Sequence, residues 1–180
     1  MKPVSLETAD DLATPILKEF QERYGMVPNF YGALGIDGAS LKGYLAFEAA
    51  IEERCLLSEQ QRELISLAVA NRNGCHYCVS GHTFSARKLG MSKEECRAAQ
   101  VGEASDALDQ AMLDLALDVM KHNGACSPEQ KDRCRALGMS DALIVQIVSW
   151  TGINNFSNWI NNLVQPKIDF PKVELIPNPK

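Results

Sequence analysis

Residues 58–78 read SEQQRELISLAVANRNGCHYC, and the fold class turns on this stretch. Its apolar run, Leu64 to Ala70, is short enough to be a buried strand leading into a C-x-x-C pair, as in a thioredoxin-type βαβ scaffold. Two features favour a helix instead. Ser58 followed by Gln61 fits a capping box, in which the serine oxygen and the later Gln side chain satisfy the free N–H groups of a helix start. The alanines, with Leu64 and Leu67, also favour helix over strand. Asn71-Arg72-Asn73-Gly74 then breaks the helix, and a second one begins with the cysteines.

The flanking sequence repeats this punctuation. Ser92-Lys93-Glu94-Glu95 and Ser127-Pro128-Glu129-Gln130 fit capping boxes, and Pro128 occupies the first helical position, where its missing N–H costs nothing. Leu89-Gly90-Met91-Ser92 recurs as Leu137-Gly138-Met139-Ser140. In each, glycine can take the left-handed conformation that closes a helix, and serine opens the next. Leu108, Met112, Leu115 and Val119 recur at the steps of three and four that mark one helix face. Together these signals predict helices over residues 8–24, 38–54, 59–72, 75–89, 92–101, 105–122, 127–137 and 140–163. Gly25 to Phe30 reads as a loop, because Pro28 disfavours helix at the residue before it. Pro166, Pro171, Pro177 and Pro179 predict an extended tail over 164–180, which needs a surface such as a neighbouring subunit to lie on. No strand alternation of useful length survives. The expectation is an all-α fold of seven or eight helices, in a single domain spanning residues 1–180 with a redox core at about 58–90.

The 180 residues suffice to bury a substantial core, and 46% hydrophobic with 23% charged residues is the composition of a soluble globular protein. A formal net charge of -5 and the absence of a basic stripe argue against a nucleic acid or an anionic membrane as partner. Met1-Lys2-Pro3-Val4 leads into no secretory apolar segment, and no apolar run reaches the roughly 18 residues of a membrane span. A cytoplasmic location is therefore expected. Of six cysteines, Cys55, Cys96, Cys126 and Cys134 are scattered singly through helical pattern and read as small packing residues. Only Cys75 and Cys78 form a local pair.

The chemistry concentrates between Glu63 and His82. On a helix, Cys78 lies about 60° and His82 about 20° around the axis from Cys75, so the three side chains share one face. The free N–H groups and dipole at a helix start favour a thiolate, and a histidine one turn on from Cys78 can take its proton. By the dipole alone Cys75, nearer the start, is the stronger acid; Cys78 is the closer to His82. Glu63 falls in line with Leu67 and Ala70, which points it inward and raises its pKa towards the range of general acid-base work. It can meet the cysteine-histidine face if the Asn71–Gly74 break folds one helix back on the other. Bland readings stand beside these. A lone C-x-x-C also occurs by chance, and Cys75, Cys78, His82 and Glu63 could supply four zinc ligands, although structural zinc sites rarely use a carboxylate. His76 and His122 read as surface histidines. Trp150, Phe156 and Trp159 could line a substrate pocket, but aromatics at helical spacing more often belong to a core.

The segments Arg62-Glu63-Leu64-Ile65-Ser66-Leu67-Ala68-Val69-Ala70, Asn73-Gly74-Cys75-His76-Tyr77-Cys78 and Ser80-Gly81-His82 resemble the AhpD-like alkyl hydroperoxidase family, within the carboxymuconolactone decarboxylase superfamily. Gly25-Met26-Val27-Pro28-Asn29-Phe30, Asn154-Asn155-Phe156-Ser157-Asn158 and Ile168-Asp169-Phe170-Pro171 look like its peroxidase-related subgroup. The resemblance implies an all-helical fold assembling as a homo-oligomer, a trimer or a hexamer. It also implies that Cys78 is the peroxide-attacking thiolate, Cys75 the resolving thiol, and Glu63 with His82 the proton relay. The substrate implied is a hydroperoxide and the electron donor a dithiol, of which a lipoyl group is one kind; no resident cofactor or metal is called for. Superfamily members that decarboxylate a lactone generally lack the cysteine pair. Two further readings stay open: a lyase or isomerase acting on a small organic acid through Glu63 and His82, and a zinc-binding protein without turnover.

Overall fold

A computed structural model describes residues 1–177, which form nine α-helices and no strand. They are α1 (Ala13–Tyr24), α2 (Asn29–Leu34), α3 (Gly38–Glu52), α4 (Glu59–Arg72), α5 (His76–Lys88), α6 (Lys93–Gln100), α7 (Ala107–Lys121), α8 (Pro128–Ala136) and α9 (Asp141–Val164). The helix starts follow the serines. Ser58 and Ser92 make complete capping boxes with Gln61 and Glu95, and Ser127 caps α8 ahead of Pro128. Gly90 and Gly138 take φ of +89° and +84°. The Met91 N–H then donates to Ala86 O and the Met139 N–H to Cys134 O, so both corners close in the same way.

Two helices differ from expectation. α1 starts at Ala13 rather than residue 8, because the Asp10 carboxylate takes the Ala13 N–H at 2.7 Å. The same carboxylate takes the Gly38 N–H at 2.9 Å, tying the head of α3 to the head of α1. A Cβ on Gly38 would stand 2.6 Å from the Ala13 nitrogen, so the approach requires glycine. α2 lies partly where a loop was expected. Pro28 excludes helix at Val27 but heads α2 itself, with φ -59° and ψ 137°. Six residues are too few for a helix to hold alone. α2 is held by rings: Tyr31 stacks on Phe20 with centroids 3.8 Å apart, and Phe30 meets Tyr44 edge-on at 5.4 Å.

α4 is the central helix, buried without interruption from Leu64 to Asn71 and packed against α5, α6, α7 and α9. Its Ile65, Leu67 and Val69 share the main apolar cluster with Met112 and Leu115 of α7 and Ile147 and Ile153 of α9. Each fully buried Leu or Ile contributes about 1.5–3 kcal/mol.

After Val164 the chain is extended, as the prolines predict, and it lies along its own chain. Ile168, Phe170, Val173 and Leu175 pack onto Ala70, Tyr77 and Val79. Polar anchors fix the register: the Val173 N–H donates to Ser80 Oγ, and the Ile176 backbone exchanges two hydrogen bonds with the Asn71 amide. Phe170 lies so close to α5 that a Cβ on Gly81 would approach its ring to 3.1 Å. The last tail residues, 178–180 with Pro179, lie outside the described residues. Among the described residues no single helix is long and apolar enough to cross a membrane.

Candidate active site

The site is built at the corner between α4 and α5. Gly74, at φ +66°, turns the chain, and the Cys75 N–H donates back to Ala70 O at 2.9 Å. Cys75 is not in the helix, as the sequence reading had it, but is its extended N-cap. Its sulfur accepts the Cys78 N–H at 3.2 Å, where a serine or aspartate oxygen would ordinarily serve. Cys75 and Cys78 are joined by a disulfide. Both residues are buried, Cys75 fully and Cys78 to 5% exposure.

Amides from α9 hold this corner. Asn73 Nδ2 donates to Asn155 Oδ1 at 2.7 Å and to Asn158 Oδ1 at 3.0 Å, and Asn162 Nδ2 donates to the Asn73 carbonyl at 2.8 Å. One turn further in, Asn161 Nδ2 donates to the Cys78 sulfur at 3.2 Å. The tail braces the other side. The Tyr77 hydroxyl, between the two cysteines, donates to Asp169 Oδ2 at 2.6 Å and accepts the Phe30 N–H at 3.1 Å. Burial and the Asp169 carboxylate push its ionisation up, so it stays a neutral donor.

The Asn71–Gly74 break does fold α5 back onto α4, and it brings Glu63 to His82. Glu63 Oε2 lies 2.8 Å from His82 Nδ1, with the two side chains 17% and 27% exposed. An ionised carboxylate only accepts, so Nδ1 carries the hydrogen of this contact and Nε2 is the ring nitrogen that Glu63 leaves unengaged. Glu63 therefore has an imidazole partner at an opening to solvent, rather than the sealed apolar surroundings its helical register suggested. Among the described residues no side-chain hydrogen bond joins His82 to either sulfur.

Two groups escaped the sequence reading. One is Asn161. The other is Glu48, half-buried on α3, whose carboxyl is pushed up to about 7 by burial and by the neighbouring Glu52, against the opposing pull of His82 and Arg62. A lone carboxylate in the apolar stretch from Tyr44 to Ile51 was the available signal. The aromatic residues considered for a pocket lie elsewhere. Trp150 is buried, its indole N–H on Ser66 Oγ at 3.0 Å; Phe156 stacks on Tyr44; Trp159 is 61% exposed. The cavity beside the pair, of about 410 Å³, is lined instead by Cys75, His76, Tyr77, Asn161, Asn162 and Ile168, among others. His76 is exposed at its rim, and His122 bonds Asp118 on α7 at 2.9 Å, away from the site. Cys96 and Cys134 are buried and Cys55 and Cys126 half-buried, all four as free thiols. Burial pushes the Cys96, Cys126 and Cys134 thiols up, away from the reactive thiolate form. Among the described residues no three His, Cys, Asp or Glu side chains are grouped so as to hold a metal ion.

This architecture has known counterparts. The AhpD core of an uncharacterized peroxidase-related protein from Ralstonia eutropha JMP134 superposes with a TM-score of 0.83 at 24% identity, over 94% of this chain and 91% of that one. An uncharacterized peroxidase-related protein from Silicibacter sp. TM1040 gives 0.79 at 24% identity, over 94% and 93%. The debrominase Bmp8, in its apo form, gives 0.73 at 18% identity, over 93% and 90%. At these identities the likeness is one of fold. No curated protein matches the chain. Residues 39–122, which carry α4, the cysteine pair and the Glu63–His82 contact, match the model of the carboxymuconolactone decarboxylase family. Over residues 39–122 the chain is thus similar to the carboxymuconolactone decarboxylase family, and it has an AhpD-like helical fold.

Proposed function

We propose that the protein is a thiol-dependent peroxidase that reduces a hydroperoxide through the Cys75–Cys78 pair, with Glu63 and His82 as its proton relay. The observation that carries this reading is the disulfide at the N-cap of α5, one turn before a histidine already held by a carboxylate. In the reduced state His82 Nε2 takes the Cys78 proton, and Glu63 stabilises the imidazolium. The Cys78 thiolate attacks the peroxide; the O–O bond breaks, sulfur keeps one oxygen as a sulfenic acid, and the alkoxide leaves with the proton from His82. The Cys75 thiol then condenses with the sulfenic acid, forming the disulfide and releasing water. A dithiol donor restores the pair through a mixed disulfide, itself becoming oxidised.

The homo-oligomer implied by the family resemblance finds support on α9. Val145, Val148, Trp159 and Leu163 are 62%, 38%, 61% and 63% exposed. They fall within about 60° of arc on one helix face, an uncovered apolar stripe suited to a second copy of the chain.

The test is peroxide consumption with a dithiol supplied. Wild type should turn over, a Cys78→Ser variant should not, and each equivalent of peroxide should remove two free thiols from the reduced protein. Undiminished turnover in Cys78→Ser would remove the reading. A lyase using Glu63 and His82 would transform its substrate with all its thiols intact.

A further inference from the structure

We propose that Asn161 is a further catalytic residue: its side-chain amide donates to the Cys78 sulfur and holds that sulfur as the thiolate, an inference that rests on the peroxidase reading above. Asn161 Nδ2 stands 3.2 Å from Cys78 Sγ, and the residue is 5% exposed. A disulfide sulfur has no hydrogen to give, so the NH2 end of the amide is the end that faces it. A donor fixed in a dry site needs no reorganisation when negative charge appears on the sulfur, and water does not screen it.

The other end of the amide points to the same role. Among the described residues Asn161 Oδ1 is buried with no hydrogen-bond partner. Leaving such an atom unpaired costs stability, and a chemical role is one reason for a fold to keep it. The sulfenic acid formed on Cys78 carries an O–H, the kind of donor this oxygen lacks. Asn161 also bears on the choice between the two cysteines. Cys75 Sγ already accepts the Cys78 N–H at 3.2 Å, at the helix start. Asn161 gives Cys78 a donor at the same distance, from a helix that carries no charged residue after Asp141. The titratable groups on the other elements meeting there are Cys75, His76, Tyr77 and His82, Glu63 of α4, and Asp169 of the tail. Those groups are unchanged by substitution at Asn161.

The test uses the full-length protein with Cys75→Ser, so that Cys78 is a free thiol whose ionisation is read by absorbance at about 240 nm against pH. Adding Asn161→Ala should raise the pH of half-ionisation by about one to two pH units, the value of one hydrogen bond to a charged group. Asn161→Asp keeps the shape and should raise it at least as far, since an ionised carboxylate opposes the thiolate. In the protein with both cysteines, Asn161→Ala should lower kcat/KM for a hydroperoxide about 10-fold near neutral pH. Most of that loss should vanish at alkaline pH, where the thiol ionises without help; a merely structural defect would not be repaired by base. If Asn161→Ala folds poorly, Asn161→Asp and its titration decide alone. Ionisation of Cys78 unmoved by both variants overturns the inference, with peroxidase activity of the wild type intact. Wild type without peroxidase activity, but with Cys78 ionisation still dependent on Asn161, overturns the functional reading and leaves the role of Asn161 standing.

Discussion

Replacing Asp169 with alanine is expected to loosen the tail from α2 and α5 and to destabilise the protein by about 2–3 kcal/mol. Its carboxylate accepts the Tyr77 hydroxyl at 2.6 Å, the Asn29 N–H at 2.8 Å and the Asn29 side-chain amide. Hydrogen bonds to a charged group are worth about 1.5–3 kcal/mol each, so simple addition gives roughly 4–9 kcal/mol. Two facts reduce that sum. Asp169 is half-buried, so water reaches the groups it would abandon. The tail also keeps its anchors at Ser80 and Asn71 and its apolar contacts. For a protein of this size, about 2–3 kcal/mol lowers the melting temperature by roughly 4–12 °C. Urea denaturation of wild type, Asp169→Ala, Tyr77→Phe and the double variant should return a coupling of about 1–2 kcal/mol between the two side chains. Hydrogen exchange at the Val173 and Ile176 amides should accelerate in Asp169→Ala. A loss below about 0.5 kcal/mol, with exchange at those amides unchanged, would refute the view that this carboxylate holds the tail in place.

Glu48→Gln should change how stability depends on pH. Because the folded protein holds the Glu48 proton up to about 7, that contribution is complete below the unfolded value of about 4.5 and is lost as pH rises through 7. The advantage of Glu48→Gln over wild type should therefore grow by about 1–2 kcal/mol between pH 4.5 and 7.5, discounted from the full shift because the group is only half-buried. A constant difference across that range, measured by denaturation at fixed salt, would contradict it. Trp159→Glu puts a charge into the exposed α9 stripe, and sedimentation should show a smaller assembly than wild type with helix content unchanged; an unaltered sedimentation coefficient would place any subunit contact elsewhere.

The parts of this structure written locally in the sequence were legible. Ser58, Ser92 and Ser127 act through bonds to residues three positions on, and Gly90 and Gly138 through their own φ, so helix ends could be read from short windows. The meeting of Glu63 with His82 needed only one further assumption, that the Asn73-Gly74 corner reverses the chain. What escaped depends on residues far apart in the chain. α2 depends on rings from α1 and α3, the tail on Asn71, Ser80 and Tyr77, and the contact of Asn161 with Cys78 spans 83 positions. The aromatic residues of α9 misdirect for the same reason. Periodicity places Trp150, Phe156 and Trp159 on a helix, but only packing decides that one is core, one meets Tyr44 and one faces out. Of the asparagines on the same helix, Asn155 and Asn158 hold Asn73, and Asn161, two residues past Trp159, reaches Cys78.

The amide ladder of α9 also bears on how the protein ages. An Asn-Gly step is the peptide sequence most prone to spontaneous deamidation, in which the glycine nitrogen attacks the asparagine side-chain carbon and ammonia is lost. Here the Gly74 N–H is engaged with Asn71 O, and the Asn73 amide is bonded to both Asn155 and Asn158. The ring closure would have to break all three contacts and twist a corner clamped from α9. The same bonds that set the geometry beside the disulfide thus slow the conversion of Asn73 to an aspartate, which would place a negative charge among amides at the entrance to α5.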